Sequence, residues 1–213
     1  MIKKLFALPT ISYGITVCNE VNELTHLLQT LMPLIDAEDE ILILQDITVE
    51  NQEVSNLIAQ YSTVKHIQAQ LNGDFANFKN NLIKQASKKY LFQIDADEYP
   101  QITLIKKLKW FLFTRWFADA ILVPRINTVA GITEADVQKW NWKINADNYI
   151  NFPDYQPRIF KLNGQITWKN KVHEVLTNFK KRKKLPKNNY DYCLHHPKEI
   201  KRQRAQNSFY DTL

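Results

Sequence analysis

Three carboxylates stand at the end of one apolar segment. Residues 90–95 (YLFQID) have the composition of a buried strand, and Asp95, Asp97 and Glu98 are placed at its end, before Pro100. Carboxylates this close repel one another unless a cation lies among them. An Asp-x-Asp pair offers the oxygen ligands that Mg²⁺ or Mn²⁺ prefers, usually together with substrate phosphates. The pattern predicts a divalent metal or a basic partner here. A helix cap at Asp97 or Glu98 is the alternative.

The elements upstream of these acids alternate between strand and helix patterns. Strands are predicted at 11–17, 40–46, 64–68 and 90–95, and helices at 20–35, 51–61 and 75–88. This alternation predicts an α/β domain with a mainly parallel, Rossmann-like central sheet flanked by helices. Ligands of open α/β sheets bind beyond the carboxyl ends of the strands, where Glu20, Asp46 and Asp95 would converge.

The second half of the chain is less regular. The sequence predicts a helix over 102–113, a strand over 120–127, and loops or short helices over 128–155. Residues 157–162 and 165–169 flank Asn163-Gly164, which predicts a small antiparallel hairpin. Residues 189–197 are predicted as a last strand, and Pro197 as the start of a basic C-terminal helix.

Length and charge bound the class of protein. The chain has 213 residues, 45% of them hydrophobic, which suffices for one well-buried domain. Its net charge of +6 is concentrated in 169–206 and predicts an anionic partner. No secretion signal is evident, so we expect a cytoplasmic protein. The apolar segment 110–124 is too short and too polar to span a membrane, but leaves peripheral membrane contact open.

Taken together, several segments resemble family 2 glycosyltransferases of the GT-A fold. They are ITVCNEVNEL, ILILQD, FKNNLIKQAS, YLFQIDADE and QPRIFKLNGQITWKNKVHEVL, in this order along nearly the whole chain. The resemblance implies one GT-A domain, with a nucleotide-binding half over 1–100 and an acceptor-binding half over 101–213. It also implies metal-dependent, inverting transfer of a sugar from a nucleotide-diphospho-sugar to an acceptor hydroxyl, with Mn²⁺ or Mg²⁺ as the metal.

The resemblance also implies roles for individual residues. Asp97 would bind the metal, completed by His196 or His195. Strand alternation puts the two histidines on opposite faces, and the family's H-x-K spacing, matched by His196 and Lys198, favours His196. Glu174 would be the general base, with Asp154 as its rival. The residues expected to contact the nucleotide sugar are Val17, Asn19, Glu20, Asp46, Lys79, Asn80 and Asp95. Those expected to contact the acceptor or phosphate are Arg158, His173, Trp168, Lys198 and Arg202.

For some of these residues, a structural role is as plausible as the functional one. Arg158 could bind a phosphate or the acceptor, or it could form a structural salt bridge. His173 could ligate the metal, orient Glu174 or cap a turn. Trp140, Trp142 and Trp168 could stack on a sugar ring, but packing is the more common role for any one of them. The acceptor, whether sugar, lipid-linked or protein, and the oligomeric state are not readable from the sequence.

Two other functions compete with the glycosyltransferase. A nucleotidyltransferase also uses clustered acids and a divalent metal, but it usually carries a glycine-rich phosphate loop, and the first strand here has only Gly14. A basic nucleic-acid-binding protein would fit the charge, but acids at three strand ends would repel phosphates. We therefore expect no specific nucleic-acid partner.

Overall fold

The first part of the chain forms four parallel strands joined by helices. The structure, a computed structural model, describes residues 7–210, without the side chains of residues 209 and 210. The strands are β1 (Ile11–Val17), β2 (Glu40–Asp46), β3 (Val64–Ala69) and β4 (Tyr90–Asp95). The helices between them are α1 (Val21–Leu31), α2 (Gln52–Ala59) and α3 (Phe75–Gln85). The strands lie in the order β3-β2-β1-β4, which confirms the predicted parallel α/β sheet.

The rest of the chain extends this sheet with mixed strand directions. Its elements are β5 (Tyr99–Pro100), α4 (Ile102–Thr114), β6 (Ala120–Ala130), α5 (Glu134–Lys139), β7 (Ile150–Lys161), β8 (Thr167–Lys169), β9 (Val175–Thr177), β10 (Arg182–Lys184), β11 (Leu194–Glu199) and α6 (Ile200–Tyr210). From β4 the sheet continues as β7-β6-β11-β5, and β7 is antiparallel to both of its neighbours. The short strand β10 adds to β6.

Helices and a small second sheet cover the two faces of the central sheet. The alternate residues Ile11, Tyr13 and Ile15 pack in one core cluster with buried residues of α1, α2 and α4. The opposite face packs against α3 and the β8–β9 pair in a second cluster. A Cβ on Gly14 would lie 2.9 Å from Leu91 Cδ1, so Gly14 serves close packing on this second face and not a phosphate loop.

The predicted hairpin around Asn163-Gly164 is wrong in its location. The strand before it, β7, pairs with β4 and β6, whereas β8 pairs with β9. Asn163 Oδ1 accepts hydrogen bonds from the backbone N–H groups of Gln165 and Ile166, and this local turn directs the chain out of the central sheet. The small antiparallel pair therefore exists, but one strand later.

Two boundaries in the second half also differ from the prediction. Strand β6 extends to Ala130 and β7 begins at Ile150, so 128–155 contains more regular structure than expected. Pro197 lies inside β11, and α6 begins only at Ile200. The reason is that β6 provides a parallel partner for β11 as far as Glu199. Within residues 7–210, no helix combines the length and apolar character needed to cross a membrane.

Candidate active site

A cavity of about 1320 Å³ opens at the carboxyl ends of β1 and β4. The chain runs from β1 outward to β2 and β3 and then returns to β4 on the other side of β1, which makes this a topological switch point. Ligands of open α/β sheets bind at such crevices. The site residues predicted from the sequence that line the cavity are Val17, Asn19, Glu20, Asp46, Lys79, Asp95, Asp97, Asp154, Arg158, Trp168, Glu174, His196, Lys198 and Arg202.

Three predicted site residues do not line this cavity: Asn80, His173 and His195. The Asn80 amide binds strand β8, because its Oδ1 accepts from Trp168 N at 2.9 Å and its Nδ2 donates to Trp168 O at 3.0 Å. His173 is exposed and has a positive φ of 53°. His195 lies on the face of β11 opposite His196, and burial lowers its pKa.

Asp95 lies among protein cations at the end of β4. It accepts hydrogen bonds from Thr16 Oγ1 at 2.7 Å and from Arg158 Nη2 at 2.6 Å, and Lys79 Nζ lies 4.0 Å away. Burial alone would raise the pKa of Asp95, but Arg158 and Lys79 outweigh it and hold that pKa well below its ordinary value. A basic partner therefore stabilises this acid from within the protein.

Glu98 is fully buried and is neutralised by two arginines. It accepts hydrogen bonds from Arg158 and, at 3.0 Å, from Arg125 Nη1. Arg158 is itself only 3% exposed, and β7 supplies it from 60 residues further along the chain. The buried position favours the salt-bridge interpretation of Arg158, because an arginine removed from this site would leave charged acids without a partner.

Asp97 faces a different group of cations, which β11 and α6 supply. Its Oδ2 lies 3.4 Å from His196 Nε2, 3.7 Å from Lys198 Nζ and 3.4 Å from Arg202 Nη2. The antiparallel pairing of Tyr99 with His195 holds the loop that carries Asp97 against β11. Burial would raise the pKa of Asp97, but His196 and Lys198 lower it to about 2.

A hydrogen-bond chain orients His196. Asn127 Nδ2 donates to Asp154 Oδ2 at 3.0 Å, so Asn127 Oδ1 faces His196 Nδ1 at 2.8 Å and accepts a hydrogen bond from it. The other ring nitrogen, Nε2, then faces Asp97. Second-sphere partners of this kind commonly fix the tautomer of metal-binding histidines.

The pair formed by Asp97 and His196 fits one side of a divalent metal site. Across residues 7–210, no group of three or more His, Cys, Asp or Glu residues is arranged to hold a metal ion. One carboxylate and one imidazole are nevertheless a sufficient protein contribution for Mg²⁺ or Mn²⁺, because these ions usually take their remaining ligands from water and substrate phosphates. The donor set therefore suits a metal that arrives with a phosphorylated ligand.

Glu174 and Lys79 form an ion pair at the cavity, close to Asp95. Lys79 Nζ donates to Glu174 Oε1 at 2.5 Å, and its side chain is only 9% exposed. Lys79 comes from α3, whose start is capped by the Asp74 side chain. The ring of Trp168 lies 5.3 Å from Lys79 Nζ, and its indole N–H donates to Gln93. The buried Trp168 thus supports Lys79 in addition to packing.

Asp154 is surrounded by hydrogen-bond donors. Its Oδ2 accepts from Arg125 Nε at 2.9 Å, Arg125 Nη2 at 2.7 Å and Asn127 Nδ2 at 3.0 Å, and its Oδ1 accepts from Gln156. Burial would raise the pKa of Asp154, but Arg125 and Asn127 keep it below the ordinary value. A carboxylate in this setting is a poor proton acceptor.

Two further acids shape the loops at the cavity rim. Glu20 Oε2 accepts from the backbone N–H groups of Cys18 at 2.7 Å and Asn19 at 3.0 Å, and its Oε1 pairs with Arg202. Asp46 Oδ1 accepts from the backbone N–H groups of Thr48 at 2.8 Å and Leu71 at 3.0 Å. Both acids hold the loops that follow β1 and β2 in place.

Sequence comparison relates this chain to curated proteins named as glycosyltransferases. The SPbeta prophage-derived glycosyltransferase SunS of Bacillus subtilis (strain 168) is 25% identical over 173 residues, which are 80% of this chain and 36% of SunS. The chain therefore spans about a third of the length of the curated relative that it matches. No family model matches the chain.

Structure comparison relates it to S. aureus TarS. The crystal structure of TarS 1-349 in complex with UDP-GlcNAc matches with a TM-score of 0.60 and 14% identity, covering 88% of this chain and 58% of that one. The complex of TarS 1-349 with UDP gives a TM-score of 0.54 and 16% identity, covering 75% and 50%. The chain shares the fold of TarS. The resemblance to glycosyltransferases that the sequence motifs indicated is confirmed.

Several cavity residues were missed by the sequence analysis. Arg125 and Asn127 lie on β6 at alternate positions, and both bind Asp154. Polar residues at alternate positions of an otherwise apolar strand are a signal that could have identified them. Trp142, which was expected as a possible platform for a sugar ring, does line the cavity, and its ring centroid lies 4.6 Å from that of Trp140.

Proposed function

We propose that this chain is a glycosyltransferase domain whose donor is a nucleotide-diphospho-sugar. The observation that carries the proposal is the placement of Asp97 opposite His196, Lys198 and Arg202 in the switch-point cavity. The similarity to SunS, a protein named as a glycosyltransferase, supports it. So does the shared fold with TarS, which has been crystallised with UDP and with UDP-GlcNAc.

In this proposal the domain is divided between donor and acceptor. The half over 1–100 binds the nucleotide through the loops after β1 and β2, where Val17, Asn19 and Asp46 line the cavity. The half over 101–213 receives the acceptor hydroxyl on the side lined by Trp142 and Pro153. The cavity volume of about 1320 Å³ leaves room for both, since small-molecule pockets commonly measure about 300–1000 Å³.

The diphosphate is the leaving group, and its departure requires positive charge. Lys198 and Arg202 lie beside Asp97 and hold the diphosphate as negative charge grows on the oxygen that leaves the anomeric carbon. Asp97 and His196 would hold Mn²⁺ or Mg²⁺. A bound divalent ion neutralises charge on a departing phosphate. His196 contributes through Nε2, because Asn127 occupies its Nδ1 proton.

Glu174 is the general base in this proposal. As the acceptor oxygen forms its bond to the anomeric carbon and the bond to the diphosphate breaks, Glu174 takes the hydroxyl proton. Lys79 orients the Glu174 carboxylate through one oxygen. Asp154 is less suitable, because four hydrogen bonds already engage its carboxylate. Attack on the face opposite the leaving diphosphate inverts the anomeric configuration.

The test is turnover of a donor panel. UDP-, GDP-, dTDP- and CDP-sugars are incubated with the protein and Mn²⁺, and released nucleoside diphosphate is measured with water or simple glycosides as acceptors. We expect one nucleotide class to react, Asp97→Asn and Glu174→Gln to lose that turnover, and NMR of the product to show inversion. The exposed acids Asp191 and Glu53 provide matched controls, Asp191→Asn and Glu53→Gln, that retain turnover. Absence of both turnover and donor-induced thermal stabilisation in the folded protein would contradict the proposal.

A further inference from the structure

One surface away from the cavity exposes large aromatic side chains. Trp110 is 56% exposed, Trp116 70% and Phe117 38%, all at or just beyond the end of α4. Tryptophan is highly buried on average in soluble proteins. Grouped exposure of large apolar side chains marks an interaction site more often than chance. We call the surface formed by residues 106–117 and 180–187 the basic aromatic face.

The exposure follows from how α4 packs. Leu104, Ile105, Leu108 and Leu112 are buried and face the core of the sheet. The outer side of the helix carries Lys107 and Trp110, and the Trp110 ring stacks on Phe113 with centroids 5.6 Å apart. The chain then turns, and Trp116 meets Phe117 edge to face at 6.4 Å. The aromatic side chains thus form a surface group instead of joining the core.

The charge around these aromatic residues has a single sign. Segments 102–117 and 180–188 together contain ten Lys and Arg residues and no Asp or Glu. Lys109 is neutralised by Asp36 and Asp39, each at 2.8 Å. The neighbouring Asp119 pairs with Lys161 and accepts from backbone N–H groups of the basic segment. The exposed residues Arg182, Lys183 and Lys184 form the edge strand β10 beside this surface.

Basic side chains of this surface lie directly against its aromatic rings. The Arg115 guanidinium lies 4.0 Å from the centroid of Phe111, and Lys183 Nζ lies 5.5 Å from that of Phe117. A depression of about 590 Å³ lies between Lys107, Trp110, Arg115 and Lys184. A surface that presents apolar rings among cations is complementary to a layer with negative headgroups above an apolar interior.

We propose that the basic aromatic face docks on an anionic lipid bilayer. Trp110, Trp116 and Phe117 enter the headgroup region, which is the position that aromatic side chains prefer at membrane interfaces. The Lys and Arg side chains contact lipid phosphates, and each strengthens attachment to an anionic surface about fivefold. Two such signals together give stable yet reversible attachment. This inference goes beyond the proposed function and does not depend on it.

The docked orientation brings the cavity close to the bilayer. Lys184 Nζ lies 4.4 Å from the ring centroid of Tyr155, and Tyr155 also lines the active-site cavity. The Tyr155 hydroxyl donates to the carbonyl of Leu185 at 3.0 Å, which joins the end of the basic strand to β7. The basic aromatic face is therefore continuous with one edge of the cavity.

The first test measures binding to lipid vesicles. The protein is sedimented with vesicles of phosphatidylglycerol and phosphatidylcholine, or of phosphatidylcholine alone, at low and high salt. We expect binding to the anionic vesicles, and Lys183→Glu with Lys184→Glu to weaken it at least about tenfold. The control pair Lys84→Glu with Lys139→Glu makes the same change in net charge outside the basic aromatic face, since Lys84 lies on α3, on the opposite face of the sheet, and Lys139 lies on α5. We expect it to retain binding within about twofold.

The second test examines the aromatic contribution. Anionic vesicles should shift the tryptophan emission to shorter wavelength, and Trp116→Ser with Trp110→Ser should remove the shift and weaken binding, whereas Ile144→Ser should not. Equal binding by the parent and both sets of variants would overturn the proposal. So would binding to nucleic acid with no binding to vesicles, or self-association through Trp116 that leaves vesicles unbound.

Discussion

The two walls of the cavity differ in charge and in how they are built. The strands of residues 1–100 end in acids, with Asp95 at the end of β4 and Asp97 just beyond it. The opposite wall, from β6, β7, β11 and α6, supplies cations such as Arg125, Arg158 and Arg202. The acidic wall comes from regular alternation of strand and helix, whereas the basic wall comes from strands of mixed direction.

The acids of the first wall differ in the cations that face them. Asp95 and Glu98 are neutralised by Arg158, so their ion pairs belong to the folded structure. Asp97 faces His196, Lys198 and Arg202 at 3.4–3.7 Å, distances longer than that between Asp95 and Arg158. Protein cations therefore account for Asp95 and Glu98, and the proposed function places a metal and a diphosphate only at Asp97.

The largest effect is expected on the turnover rate, from substitution of the proposed general base. Glu174→Gln should lower kcat about 100- to 10,000-fold, because it removes a general base without changing shape. Asp154→Asn should lower kcat by at most about 100-fold, the smaller of the two effects, because it disturbs the Asn127 contact that orients His196 but removes no general base. Steady-state rates with the preferred donor decide between them. The opposite ranking would make Asp154 the base.

The next largest effect concerns the contact between the walls. Arg158→Ala should lower the free energy of unfolding by about 3–5 kcal/mol, because it removes the cation that Asp95 and the buried Glu98 share and leaves each acid with one more distant cation. Urea unfolding measures this loss. The exposed Arg182 gives a matched control, and Arg182→Ala should change stability by less than about 0.5 kcal/mol. Equal stability of both variants would refute the structural role of Arg158.

A smaller effect on stability is expected from Asn80, which was predicted to contact the nucleotide but binds β8. Asn80→Ala should cost about 1–3 kcal/mol of stability, because it leaves backbone groups of Trp168 without a partner. Nucleotide affinity should stay within about threefold, since Asn80 does not line the cavity. Calorimetric titration beside urea unfolding separates the two effects. A loss of affinity with unchanged stability would return Asn80 to the binding site.

The smallest effect on stability is expected from a helix cap in residues 1–100, where strands and helices alternate. Asn51 caps α2 by accepting from Val54 N at 3.1 Å, so Asn51→Ala should cost about 1 kcal/mol. Thermal unfolding measures the shift. The exposed Asn188 offers a control without a helix to cap, and Asn188→Ala should leave the unfolding temperature unchanged. An equal shift for both variants would contradict the assigned cap.

The elements of the regular half could be predicted closely from the sequence. Strands β1, β2 and β4 begin and end where their apolar patterns predict, because both faces of these strands are covered. The hairpin at Asn163-Gly164 failed because a local turn signal does not say which strand β7 will pair with. Pro197 failed as a helix start because β6 extends the pairing of β11.

The site was predictable to the extent that it lies at strand ends. Lys79 faces the cavity while Asn80 contacts β8, because adjacent residues on a helix point about 100° apart. The sequence pattern did not distinguish the two. Arg125 and Asp154 meet as cross-strand partners of β6 and β7, and that register depends on the whole sheet. Their contact could not be found from spacing.

The most direct test of the two-wall account is calorimetric titration with UDP, GDP, dTDP and CDP, with and without Mn²⁺. We expect one diphosphate to bind in the presence of Mn²⁺, Asp97→Ala to weaken this binding at least about tenfold, and the control Asp191→Ala to leave it unchanged. If no diphosphate binds with Mn²⁺ present while the protein remains folded, the cavity is not a nucleotide site and the account is wrong.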